Sequence, residues 1–301
     1  MSFAVEQDTL DLAASAAAPP RADEPRLNGL DVAPRPPAVS ERPPFFNLGY
    51  WGDGAVTARE AQLTFVRRLA DRLPELEGRR VLDTSHAAAG SAVVLALEYR
   101  ARVDAINVPP EQAEGARAYV RMHRLKDEPQ FHSGDLGALP FEDSTFDVVF
   151  SLEAAHRLGD KRAFVREAYR VLRPGGVIVL SDMTATLDVP LARRLRSHGV
   201  DLMTGEAWRT LGQEAGFEIV EHRLVGSAVY PGHRRWMMLT AAERRRAIRE
   251  SLGPDQGAVP ATIGKAQAWW LEFRTNRYGF SVAGALGLRE YVLMLGRRPS
   301  A

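Results

Sequence analysis

Arg80-Val81-Leu82-Asp83-Thr84-Ser85-His86-Ala87-Ala88-Ala89-Gly90-Ser91 is the stretch on which the fold turns. Arg80 to Asp83 reads as a short buried strand that stops at a carboxylate, and Ser91 to Arg100 reads as a helix. A strand that passes through a short turn into a helix is the opening of a βα unit.

Outward from this unit the alternation continues. Val103 to Val108 is strand-like, and Pro109 to Leu125 is a helix with proline at its start, where a missing N–H costs nothing. Gln130 to Asp135 and Phe146 to Leu152 are strands. Asp160 to Leu172 is a helix ended by Arg173-Pro174-Gly175-Gly176, and Val177 to Asp182 is a strand. Beyond Gly199 come a helix at Glu206 to Ala215, a strand at Glu218 to Val225 and a final strand at Leu288 to Leu295. The pattern predicts an α/β protein with a Rossmann-like, doubly wound, mostly parallel seven-stranded sheet. Such sheets bind ligands at the carboxyl ends of their strands. That rule gathers Asp83 to Gly90, Asn107, Asp135, Ser151 to His156 and Asp182 around one crevice.

The flanks differ from this core, expected over 45–229. Residues 1–44 are rich in alanine, proline and charge, and are expected to form a disordered tail. Order begins near Phe45. Thr57 and Glu60 have capping-box spacing before Leu63, Val66, Leu69 and Leu73 at helical intervals. Residues 230–280 hold two helical stretches with many aromatics and read as a helical lid inserted before the last strand, which occupies 281–301.

Composition excludes several chemistries. Lys and Arg number 39 against 38 Asp and Glu, a net charge of +1, so no basic face argues for a nucleic-acid partner. The chain has no cysteine, which removes disulfides, thiolate metal sites and a cysteine nucleophile. The seven histidines show no helical metal-site spacing, so no metal is expected. No apolar run is long enough to span a membrane, and the N-terminus lacks the basic start of a secretory signal, so a cytoplasmic location is expected.

Several pieces resemble one family. Phe46-Asn47-Leu48-Gly49-Tyr50-Trp51 is similar to an N-x-G-Y-W entry motif. Ala105-Ile106-Asn107-Val108-Pro109-Pro110-Glu111-Gln112 resembles a G-I-N-I-S-P-E-Q stretch. Gly134-Asp135-Leu136-Gly137-Ala138-Leu139-Pro140-Phe141 resembles G-D-A-x-x-L-P-F. Ser144 to Val149 is similar to S-F-D-V-V, Glu153-Ala154-Ala155-His156 to E-S-x-H, and Leu172-Arg173-Pro174-Gly175-Gly176 to L-K-P-G-G. In this order they resemble the class I S-adenosylmethionine-dependent methyltransferases that act on natural products, sugars and quinones.

The resemblance implies S-adenosylmethionine as cofactor and a small-molecule substrate. It implies donor contacts from Tyr50, Asp83, Ser85, Ala87, Gly90, Asn107, Gln112, Asp135, Leu136 and Ser151, with Asn107 at the ribose, Asp135 at the adenine amine and Leu136 against the ring. His156 is implied as the base, and Asp182 is placed to orient it. Trp236, Trp269 and Phe273 are candidates for an acceptor pocket under the lid, or for ordinary core packing. The departure lies in the quoted loop. The family writes D-x-G-x-G-x-G, whereas this chain has Ser85, Ala87 and Ala89 at the three glycines and keeps only the following Gly90. Three functions therefore remain open: hydroxyl methylation of a hydrophobic natural-product or sugar-bearing acceptor; a non-methylating cyclase or isomerase, for which His86 is a candidate acid–base group; and a silent subunit paired with an active homologue. A homo-oligomer is likewise open.

Overall fold

The computed structural model describes residues 47–85, 90–106, 113–114, 117, 128–184, 201–239, 243 and 290–300. The expected tail at 1–44, His86, Ala87, Asn107, Gln112, Trp269 and Phe273 lie outside them.

Helix α1 (Ala58–Ala70) starts as its sequence dictates. Thr57 accepts from the Glu60 N–H, and the Glu60 carboxylate reaches back to the Thr57 N–H. Then follow β1 (Arg80–Asp83), α2 (Gly90–Tyr99), β2 (Arg102–Ile106), β3 (Gln130–His132) and β4 (Phe146–Leu152). A single 3₁₀ turn at Ala155–Arg157 leads to α3 (Lys161–Val171) and β5 (Leu172–Thr184). The described chain closes with α4 (Gly205–Glu214), β6 (Glu218–Leu224), α5 (Gly226–Met238) and β7 (Glu290–Arg297).

The strands form one seven-stranded sheet in the order β3-β2-β1-β4-β5-β7-β6. β7 runs antiparallel to both neighbours and every other pairing is parallel. Order reverses between β1 and β4, so the switch-point crevice opens beside the tips of those two strands.

Parallel strands covered on both faces read as continuous apolar runs, because each face has its own core. Val81, Val148, Phe150, Val177 and Val179 pack with Phe65, Val66 and Leu69 of α1 and Val93 and Val94 of α2. The alternate residues Leu82, Val149, Ile178 and Leu180 pack on the other face with Phe164 and Val165 of α3 and Trp208 and Leu211 of α4. Period-2 alternation thus places Asp83 and Asp182 at strand tips with fixed facing.

Three expectations are corrected in extent. β3 ends at His132, so Asp135 lies in the following turn. β5 begins at Leu172, directly after α3, and takes in the Arg173–Gly176 stretch. Gly175 there has φ +78°, and a Cβ on Gly176 would stand 2.8 Å from the Arg173 carbonyl oxygen. The first helix of the expected lid begins at Gly226, four residues inside the expected core.

Candidate active site

The β1 tip is tied down before any ligand is considered. Asp83 is buried, with Oδ1 accepting from the Ser85 N–H at 2.8 Å and Oδ2 from the Ser91 hydroxyl at 2.5 Å. Burial holds its carboxyl above the ordinary carboxylate range, opposed by the hydrogen bonds from Ser91 and Ser85. Asp83 therefore spans the loop from strand end to helix start.

Ser85 gives a physical reason for one lost glycine. Its hydroxyl accepts the Leu152 N–H at 3.0 Å, continuing the β1–β4 pairing one rung past the Thr84 N–H bond to the Phe150 carbonyl. Its φ is not positive, so a Cβ there costs no backbone strain. Ser151, one residue back along β4, is buried, and its Oγ has no partner among the described residues. Asp135 is exposed; its Oδ1 accepts the Gly137 N–H at 2.9 Å, and Oδ2 takes no hydrogen bond among the described residues. Leu136 is buried in the core with Leu82, Ile106 and Leu139.

The acid–base geometry lies at the tips of β4 and β5. Asp182 Oδ2 accepts the backbone N–H groups of Ala155 and His156 at 2.8 and 2.9 Å. Oδ1 accepts the Met183 N–H at 2.8 Å and lies 2.9 Å from His156 Nδ1. A carboxylate filled by three backbone donors is an acceptor, so Nδ1 carries the proton and Nε2 presents its lone pair. Among the described residues Nε2 takes no hydrogen bond.

A third acid joins this pair. Glu153 has φ +53°, in the left-handed region where a side chain is strained by about 1–2 kcal/mol. Its Oε1 accepts the Leu48 N–H and the Tyr291 hydroxyl, each at 2.7 Å. Burial pushes its carboxyl up to about 7, against the lowering effect of those bonds and of His156. Glu153 opens the Glu153-Ala154-Ala155-His156 stretch, but nothing adjacent in sequence marks it as a site residue. Tyr291 and the positive φ carried no local signal.

Leu48 belongs to the entry segment 47–51, which is anchored widely. Asn47 and Gln62 exchange side-chain bonds with each other's carbonyl oxygens, and Trp51 Nε1 donates to the Leu48 carbonyl at 2.9 Å. Trp51 meets Trp236 of α5 with ring centroids 6.2 Å apart, and Gly232 leaves the space that Trp51 fills. Trp236 thus docks α5 on the entry segment. Tyr50 packs 5.9 Å from Phe65 under the Arg68 guanidinium and lines a cleft with Arg72, Leu224 and Val225, not the β1 tip.

The arrangement fits a nucleoside-bearing donor. A switch-point crevice, an exposed carboxylate oxygen at Asp135 and the Ser151 hydroxyl lie toward the carboxyl ends of the parallel strands. Asp83, Ser85, Gly90 and Asp135 are the described residues that would hold it. No group of three or more metal-binding side chains occurs among the described residues, and no described helix is long and apolar enough to cross a membrane.

Comparison with known proteins agrees with this geometry. A family model described as a methyltransferase domain matches residues 86–180. The chain is 31% identical to 27-O-demethylrifamycin SV methyltransferase of Amycolatopsis mediterranei, covering 83% of this chain and 89% of that one. It is 35% identical to the methyltransferase GfsG of Streptomyces halstedii, covering 73% and 86%. Among solved structures, the (4+2)-cyclase SpnF superposes with a TM-score of 0.64 at 22% identity over 87% of this chain and 91% of that one. A geranyl diphosphate methyltransferase in complex with SAM gives 0.57 at 16% over 80% of this chain and 87% of that one. The chain belongs to the class I S-adenosylmethionine-dependent small-molecule methyltransferases.

Proposed function

We propose that this enzyme methylates a hydroxyl of a small hydrophobic natural product or a sugar borne on one, with His156 as the base. The observation that carries the reading is the buried His156–Asp182 pair, at 2.9 Å and held in one tautomer by the three backbone N–H groups on Asp182. S-adenosylmethionine supplies the sulfonium methyl when bound. His156 Nε2 would take the proton of the hydroxyl that accepts the methyl group, leaving an imidazolium that the Asp182 carboxylate stabilises. A positioned base of this kind contributes about 10²–10⁴-fold. The 27-O-demethylrifamycin SV methyltransferase and two further relatives named as O-methyltransferases support oxygen as the accepting atom.

A second reading, a cyclase or isomerase on the same fold, is favoured by one specific feature: Ser85, Ala87 and Ala89 at the three family glycines. One neighbour in structure is named as a cyclase.

Calorimetric titration of S-adenosylmethionine separates the two. The methyltransferase reading expects micromolar binding by the natural chain, and comparable binding after Ser85→Gly, Ala87→Gly and Ala89→Gly together. Binding only after those three substitutions overturns it in favour of a repurposed site. With binding shown, turnover of a panel of hydroxylated macrolactones and glycosides should fall about 100-fold or more in His156→Ala with donor affinity kept; unchanged turnover removes His156 as the base.

A further inference from the structure

The carboxyl of Glu153 is used on one side only. Both donors, the Leu48 N–H and the Tyr291 hydroxyl, fall on Oε1, and Oε2 receives none among the described residues. Nor is Oε2 among the fully enclosed polar atoms that lack a partner, which are Ser151 Oγ, Thr184 Oγ1, Trp208 Nε1 and His233 Nε2. It therefore keeps access to open space although the residue is only 8% exposed. The side chain is aimed by a strained backbone, since φ at Glu153 is +53°. Strain kept at a strand tip beside acid–base groups is a mark of function rather than of packing.

The surroundings narrow what such an oxygen is for. Its facing groups are Leu48 and the aromatic entry segment, Tyr291 of β7, His156 of the 3₁₀ turn and Asp182 of β5. Tyr230 of α5 also senses the Glu153 charge, and His233 of the same helix meets the Leu48 backbone, with Arg234 acting on both. Among the described residues no arginine or lysine pairs with Glu153, so its charge is available to a ligand. An acceptor hydroxyl served by His156 is also the atom that meets the donor methyl. The reacting sulfur and the β4 tip thus share one volume.

We propose that Glu153 is a specificity-determining residue for the donor's charge: its anchored, half-open carboxylate favours the cationic sulfonium over the neutral thioether product. The proposal rests on the reading of this crevice as the donor site. The two ligands differ only at sulfur, so a negative charge within reach of that atom raises affinity for the donor and leaves the spent product less well held. Charge stabilisation in an enclosed site is strong because water does not screen it. Ionisation of this carboxyl near pH 7 makes the preference pH-dependent, with the favoured state above that pH.

The test is calorimetric affinity for S-adenosylmethionine and S-adenosylhomocysteine at pH 6 and pH 8, on the full chain and on Glu153→Gln. The amide oxygen of glutamine retains the acceptor for Leu48 and Tyr291, so the fold should persist. For the natural chain, the ratio of donor to product affinity is expected to rise about tenfold between the two pH values, with proton release on donor binding that product binding lacks. In Glu153→Gln the rise should shrink to less than about twofold. An equal rise in both proteins overturns the proposal and leaves the donor-site reading standing; failure of the natural chain to bind either ligand overturns both. Tyr291→Phe serves as a second variant that keeps the carboxyl and removes one donor. It should move the same rise to higher pH, and an unmoved rise counts against Glu153.

Discussion

Two buried groups on either side of Leu48 should make stability respond to pH in opposite directions, and one substitution exposes this. Burial raises Glu153 from 4.5 to about 7. The folded state then prefers the protonated acid, so its contribution is present below pH 4.5 and is lost as pH rises through about 7. Burial lowers His233 from 6.5 to about 4, with a hydrogen bond to the Leu48 backbone offsetting only part of the cost. The folded state prefers the neutral ring, so that contribution is present above pH 6.5 and lost as pH falls through about 4. At 1.36 kcal/mol per pH unit, each span is worth about 3 kcal/mol. Between pH 4.5 and 6.5 the two slopes oppose and nearly cancel in the natural chain. Glu153→Gln removes one of them. Its stability relative to the natural chain should rise by about 3 kcal/mol from pH 4.5 to 7, and its own acid destabilisation should steepen below pH 6.5. His233→Gln should show the converse. Urea unfolding followed by far-ultraviolet circular dichroism at half-unit intervals from pH 4 to 8 measures both. A stability difference between Glu153→Gln and the natural chain that stays flat across that range would refute the reasoning, because it would mean that Glu153 titrates alike in the folded and unfolded states.

Other perturbations test separate parts of the molecule. Asp182→Asn sets an amide NH₂ against either the Met183 N–H or the backbone N–H pair of Ala155 and His156, leaving a buried donor unsatisfied at about 1–3 kcal/mol; thermal unfolding should fall by several degrees, and nitrogen NMR should show the His156 proton moved from Nδ1 to Nε2. Gly232→Ala drives a Cβ to 2.3 Å from Trp51, so α5 should detach from the entry segment at a cost of about 1–3 kcal/mol; a red shift in tryptophan emission reports it, and unchanged emission and melting would contradict the packing. Gly49→Ala combines φ +83° with a Cβ 2.6 Å from Ala61 and should destabilise by about 2 kcal/mol, read as a lower urea midpoint.

The sheet was legible because its signal is local and repeated. Val81-Leu82 and the Val177 to Leu180 run are buried on both faces, and that burial writes continuous apolar strands into the sequence. The capping box at Thr57 likewise names its own helix start. Ends were less legible. β3 stops at His132, and β5 begins at Leu172 and runs through a Pro-Gly-Gly stretch that reads as a terminator, since strand ends depend on which neighbour supplies the next hydrogen bond. At the site, Asp83, His156 and Asp182 stood out because strand tips in a parallel sheet converge by rule. Glu153 did not, although it sits three residues from His156. What distinguishes it is a backbone angle and two partners, one 105 and the other 138 residues away. The packing of the Tyr50 ring on Phe65 beneath Arg68 is likewise a contact between distant residues that leaves no local signal.

The rewritten loop is where local and distant reasoning meet. Glycines before a helix are usually read as room for a ligand's approach, so their loss reads as loss of the ligand. Ser85 shows that one replacement instead does structural work: its hydroxyl takes the Leu152 N–H, and its backbone keeps an ordinary φ. The β1 tip is thereby locked to the β4 tip at Leu152, which stands between Ser151 and Glu153. A β1 tip fixed in this way needs less ordering when a donor arrives, which offsets part of the cost of carrying alanine at positions 87 and 89 where the family has glycine. On this account Ser85→Gly alone should loosen the β4 tip and weaken donor binding, while Ala87→Gly and Ala89→Gly should strengthen it. Opposite signs within one loop separate a site rebuilt for its ligand from one that has decayed, because decay predicts improvement at all three positions.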